Sequence, residues 1–324
     1  MRKCIEALIF RVIWIIWLPV GAIGYVFFVI RLVAYSRRSG RSATVLASLY
    51  SRWMQHSLGA RRDEPAARLT MVLPSTPRPR WLFQAAHPTL VAHLLTGYVP
   101  RIYRYPYEGV PPMSHHAAAR TTFYDAALER HLAGIGQLVV LGAGFDTRSY
   151  RVPARVRCFE IDAPRTQAFK REMLNKAGMD TSRVKYVAVD LEKEDWLAKL
   201  VATGFEPDKP SFFLWEAVSM YLEREAVEST LRKIAGTAAG SVVAFDYVSV
   251  QLMESRSLFM RYARAVLRVT GEPWKFGLDN TPPLRKRVEA FLEPFGLMLE
   301  EHRTFGRETD KQCAMAGFAT AVVK

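Results

Sequence analysis

The chain is poor in cysteine. Cys4, Cys158 and Cys313 stand far apart in 324 residues, with no CxxC pair and no metal-ligand spacing. That pattern excludes a disulfide framework and a finger-type metal site, and it suits ordinary thiols in a reducing compartment. Acidic residues are scarce at the front. Residues 1–120 hold 16 Lys+Arg against 4 Asp+Glu, whereas the rest hold 29 against 27. The net charge of +14 therefore belongs almost wholly to the N-terminal third. Such a surplus suits nucleic acid or an anionic membrane surface. Nucleic acid calls for aromatics interleaved with the charges on a solvated face. Here the aromatics gather in an apolar run and a Tyr/Pro loop, so no nucleic-acid partner is expected. Internal repeats and long low-complexity tracts are also missing, and half of the residues are hydrophobic, which excludes global disorder.

Apolar length is what the front has in plenty. VIWIIWLPVGAIGYVFFVI runs for 19 residues between Arg11 and Arg31 without a charge. At about 1.5 Å per residue this crosses a bilayer core. Trp14, Trp17 and Tyr25 read as interfacial anchors. Arg31, Arg37, Arg38 and Arg41 follow and favour a cytoplasmic C-terminal side, although Arg2, Lys3 and Arg11 on the other flank oppose that orientation. A cleaved signal peptide has a shorter apolar region and a small-residue cleavage site. Pro19, Gly21 and Gly24 admit either a kink or a shallow hairpin that dips in and returns.

We divide the chain into a membrane anchor over 1–40, a helical and loop region over 41–118, and a catalytic domain over 119–324. In the middle zone SATVLASLYSRWMQHSLGA has helical periodicity, RRDEPAAR reads as a polar connector, and MVLPSTPRPRW reads as irregular. From about 120 strands and helices alternate. QLVVLG, VRCFEID, VKYVAVD, SFFLWE, SVVAFDYV, LMLEEHR and MAGFATAVV are the strand candidates, with helical stretches between the earlier ones. This is the pattern of a mostly parallel sheet with helices on both faces. The last two strands are joined by only FGRETDKQCA, which predicts an antiparallel hairpin at one end.

Ligands of open α/β sheets sit outside the carboxyl ends of the strands. Four such ends carry matching chemistry. The first gives Gly142-Ala143-Gly144, the second Asp162, the third Asp190-Leu191 and the fourth Glu216. Asp162 follows Gly142 by 20 residues, the spacing of a ribose-binding acid. Glu160 alternates with it on the same strand face; Asp162 is preferred because it lies at the strand's end. The NAD signature needs a third glycine and tolerates no acid beside the pyrophosphate, yet Asp146 and Thr147 follow here. The phosphate-loop signature GxxxxGK[ST] is also missing. S-adenosylmethionine carries a sulfonium and an ammonium instead of phosphates, and carboxylates suit both. No metal is expected.

The chain resembles the leucine carboxyl methyltransferase family, in its bacterial S-adenosylmethionine-dependent branch. The matching pieces are ARTTFYD, VVLGAGFDTRSYR, FEIDAP with Lys170, VAVDLEK, EAVSMYL and GEPWKFGLDN, in that order over about 118–320. The resemblance implies the seven-stranded class I methyltransferase sheet, a Rossmann-like fold. It also implies a helical lid from the N-terminal region and from the stretch near 248–285. It implies that Arg120 binds the methionine carboxylate and that Gly142 and Gly144 pass under the cofactor. Asp162 would take the ribose hydroxyls, Asp190 and Leu191 the adenine, and Glu216 the amino group. Tyr221 would lie near the methyl-transfer site. The expected function is a membrane-anchored, cytoplasm-facing O-methyltransferase. Its acceptor is a carboxylate or hydroxyl of a small or lipid-like molecule; a tethered cofactor-binding module without turnover is the alternative. A carboxylate acceptor needs no general base at pH 7. A hydroxyl acceptor needs one, for which His115, His116 and Tyr221 are candidates.

Overall fold

Seven segments of five to nine mostly apolar residues pair into one sheet. They are β1 (Gln137–Leu141), β2 (Arg157–Asp162), β3 (Val184–Ala188), β4 (Ser211–Trp215), β5 (Val242–Val248), β6 (Leu297–Phe305) and β7 (Ala316–Val323). The computed structural model describes residues 2–39, 44–269, 272–309 and 313–324. Arg41 of the basic cluster and Gly271 of the last motif lie outside them. The strand order is β3-β2-β1-β4-β5-β7-β6. β1 to β5 pair in parallel, and β7 runs antiparallel between β5 and β6. The predicted terminal hairpin is therefore present, with its second strand placed inside the sheet. The order reverses between β1 and β4, which sets the crevice at the carboxyl ends of those strands.

β1, β4 and β5 are buried at every position. Strands of this kind need cover on both faces. Helices α1 (Arg2–Ser39), α2 (Thr44–Ser57), α3 (Glu64–Val72), α4 (Arg80–Ala85) and α5 (Pro88–Thr96) precede the sheet. Then come α6 (His116–His131), α7 (Pro164–Lys176), α8 (Trp196–Ala202), α9 (Arg224–Ala235), α10 (Val250–Glu254), α11 (Leu258–Val269) and α12 (Leu284–Leu292). Trp196 and Leu200 of α8, Leu231 and Ile234 of α9, and Val288 and Leu292 of α12 join alternate residues of the strands in one core. The other residues of β7 meet α6, where Phe123 stacks on Phe318 with ring centres 5.4 Å apart.

The chain forms two compact units, Met1–Tyr107 with Arg171–Met179, and Glu108–Lys170 with Asp180–Lys324. In the first, α3 arises where a connector is predicted. Asp63 caps it by accepting from the backbone N–H of Ala66 at 3.1 Å, and Pro65 fits its first turn. A small core of Trp53, Met54 and Leu58 holds α2 in place. α1 runs as one helix through Pro19, so no hairpin forms there. Within it Cys4–Phe27 is long and apolar enough to cross a membrane, with a mean hydropathy of 2.0. Membrane anchors and signal sequences share that property. Two of the three expected interfacial aromatics have partners inside the unit: Trp17 donates to the Ala85 carbonyl at 2.9 Å and Trp14 to the Thr89 hydroxyl at 3.3 Å. Tyr25 is 66% exposed.

Candidate functional site

The turn after β1 is built by glycine. Gly142 has φ +63°, and a Cβ there would lie 2.3 Å from a methyl of Val218, in the loop after β4. Both the conformation and the space exclude a side chain. The turn brings the backbone N–H of Gly144 to 2.6 Å from Asp162 Oδ2, while Ala163 N–H donates to Asp162 Oδ1 at 2.7 Å. Burial pushes the Asp162 carboxyl up to about 6, against these two donors. Its competitor on β2, Glu160, is spoken for. It is buried against Lys170 Nζ at 2.7 Å, and the same Nζ donates to the Asp146 carbonyl at 2.8 Å.

Asp190 sits next in the row, since Val189 N–H donates to the Asp162 carbonyl at 2.9 Å. Its side chain is 38% exposed; it accepts from Glu192 N–H at 3.0 Å and lies 3.3 Å from Lys193 Nζ. Leu191 packs against the core from its edge.

Glu216, at the end of β4, is met by a residue that sequence reasoning missed. Arg148 is buried and donates to Glu216 Oε2 at 2.6 Å, to Asp125 Oδ1 at 2.7 Å and to Asp146. Burial pulls its guanidinium down, but the three carboxylates outweigh that and hold it well above the usual arginine range. Arg120, on α6, lies 3.1 Å from Asp246 Oδ2 of β5. Burial raises the Asp246 carboxyl, and Arg120 opposes the rise. Asp246 also accepts from Ala217 N–H at 2.6 Å, and Ala217 has φ +58°, a strained conformation for a residue with a Cβ. Tyr221 lies in the short turn Ser219–Tyr221 that follows, close enough to act on the Arg120 charge together with Asp246, Glu216 and Tyr124. His116 stands edge-on to Phe305 at 6.2 Å.

The structure thus gathers the predicted residues along the carboxyl ends of β1 to β4, with Arg120 and Tyr221 at the Glu216 end. It adds Arg148, Asp125, Asp146 and Asp246. Four carboxylates there face two guanidiniums, so the enclosure has a surplus of negative charge. A signal for Asp246 was present: it is the one acid in the otherwise apolar strand SVVAFDYV. Arg148 stands inside the quoted glycine motif beside its partner Asp146, but its other two partners are 23 and 68 residues away.

An α/β sheet with an acid-rich crevice at its switch point defines a cofactor-binding fold. Residues 97–235, which include β1 to β4 and every predicted site residue, match the model of the leucine carboxyl methyltransferase family. A protein of Mycolicibacterium paratuberculosis is 41% identical over 133 residues, 40% of this chain and 44% of its own length. One of Mycobacterium avium is 38% identical over 186 residues, 56% of this chain and 58% of its own. The names of both assign them, by inference, to S-adenosyl-L-methionine-dependent methyltransferases. The chain spans about half the length of the curated relatives it matches. Among solved structures, a DUF574 family protein from Streptomyces avermitilis is similar at 16% identity with a TM-score of 0.46, covering 65% of this chain and 85% of that one.

Proposed function

We propose that the sheet unit is an S-adenosylmethionine-dependent O-methyltransferase, and that α1 anchors it to a membrane with the catalytic domain on the cytoplasmic side. The observation that carries the cofactor reading is the row Gly144, Asp162, Asp190 and Glu216, assembled along four adjoining strand ends with Arg120 beside Glu216. The residues suit the group. Arg148 Nη2 is buried without a hydrogen-bond partner, and Arg120 Nε and Asp246 Oδ2, both buried, face each other as an ion pair at 3.1 Å without a well-aligned hydrogen bond. The surplus of carboxylate charge suits a ligand that bears two cationic centres.

When bound, S-adenosylmethionine supplies an electrophilic methyl group on a sulfonium. In this reading Arg120 holds the α-carboxylate and Glu216 the α-ammonium. Each Asp162 oxygen accepts one backbone N–H and keeps a second lone pair for a ribose hydroxyl. Asp190 and Leu191 offer a polar and an apolar edge to a base. Methyl transfer is an in-line displacement, so alignment and exclusion of water do most of the work. For a carboxylate acceptor no proton need move. For a hydroxyl acceptor Tyr221 is the group best placed, in the turn beside Arg120. The acceptor we favour is small or lipid-like, and residues 41–118 together with the stretch near 248–285 form its lid.

Isothermal titration of S-adenosylmethionine and S-adenosylhomocysteine into the detergent-purified chain tests this, with NADH as a control. Micromolar binding of the first two, lost in Asp162→Ala, is the expected outcome. Binding of NADH alone would overturn the cofactor reading. Binding without methyl transfer to any carboxylate or hydroxyl acceptor would leave a tethered cofactor-binding module.

A further inference from the structure

The unit that contains α1 holds a cavity of about 930 Å³. That lies at the upper end of the roughly 300–1,000 Å³ of small-molecule sites. Its cationic lining is Arg68, Arg80 and Lys176, and no carboxylate lines it. Arg68 is engaged at the carbonyls of Ala177 and Gly178, and Lys176 pairs with Glu172 at 2.7 Å. Arg80 is exposed and has no acidic partner among the described residues. The remaining walls are largely apolar, with Trp53 and Met71 within. Trp81 and Leu94 also line the cavity and are 68% and 84% exposed. A cleft that faces water seldom keeps a large apolar rim, and contiguous exposed apolar surface marks a binding or membrane site.

Helix α5 links the cavity to α1. It presents Leu90, Val91 and Leu94 to the cavity, and it meets α1 through Pro88 and Thr89. The approach is close: a Cβ on Gly21 would lie 2.3 Å from the Pro88 ring. The helix apolar enough to cross a bilayer thus packs on the element that forms one wall of the cavity. An apolar cleft with a cationic lining, of which Lys176 is paired with Glu172 and Arg80 is left for a ligand, lies one helix away from such a segment and matches a ligand with an acyl chain and an anionic head.

We infer that this cavity binds an anionic membrane lipid, its acyl chain among Trp53, Met71 and Leu94 and its head at Arg80 and Lys176. The site shares no residue with the cofactor row, and its test does not depend on methyl transfer. The full chain is released from detergent micelles in native mass spectrometry after mixing with phosphatidylglycerol, phosphatidylcholine or glycerol 3-phosphate. We expect phosphatidylglycerol adducts at least tenfold above phosphatidylcholine, and none with glycerol 3-phosphate. Arg80→Glu lowers the adduct at least tenfold, with the melting temperature unchanged. Leu94→Asp, at an exposed position, does the same and stands in should the first variant unfold. Equal retention of the two lipids, adducts unaffected by both substitutions, or binding of glycerol 3-phosphate as strong as that of the lipid would each overturn the site.

Discussion

Single ionisable residues carry the sharpest consequences. The Asp162 carboxyl, pushed up to about 6 by burial, has an ordinary value of 3.8 in the unfolded chain. Between these values the folded state binds more protons, so its contribution to stability is greatest below about pH 4 and is lost as pH rises through 6. Cofactor affinity should run the other way, because ribose hydroxyls need the ionised acceptor. We expect S-adenosylhomocysteine affinity to fall about fivefold between pH 6 and 5, and Asp162→Asn to flatten that profile in titration calorimetry. Arg148→Met would leave Asp125, Asp146 and Glu216 buried without their shared cation. Removing one partner of a buried ion cluster costs about 3–5 kcal/mol. A fall in melting temperature on the order of 10 °C should follow. Glu216→Gln keeps the shape and removes the charge; at least a tenfold loss of cofactor affinity, about 1.4 kcal/mol, is expected by the same calorimetry.

Elements show how far the order of residues alone reaches. All seven strands were readable to within one or two residues, because their apolar runs are short and bounded, and the short last connection disclosed the antiparallel pair. The row of strand-end residues was readable for the same reason, since each follows its strand by position. The ion cluster was not, because Arg120 and Asp246, or Arg148 and Glu216, meet only once the sheet has formed. The helix α3 was readable in principle, since Asp63 and Pro65 are start signals that were absorbed into a connector. The residues of α11 read in the sequence only as part of a lid stretch. One coupling between elements is testable by a double-mutant cycle. Gly142→Ala should destabilise strongly, as its Cβ meets Val218. Adding Val218→Ala should restore about 0.5–3 kcal/mol of that loss in denaturant titrations. The positive φ at position 142 keeps the rescue partial.

At the scale of the molecule, charge and apolar length share the same third of the chain. Association with anionic vesicles should therefore have two components. The full chain should stay bound in about 1 M salt, where the screening length is about 3 Å. A chain lacking residues 2–39 should be released under the same conditions, as read by vesicle flotation. The place of β7 inside the sheet has a further bearing, on how the molecule comes into being. A ribosome finishes β5 at Val248 and does not reach Ala316 of β7 until 68 residues later. At 5–20 residues per second that is roughly 3–14 s during which the nascent β5 keeps an open edge, and β6, finished at Phe305 only 11 residues before Ala316, has no neighbour to pair with at the end of that wait. Open strand edges invite wrong partners. The sheet can close only when its latest strand slides between two that were waiting for it.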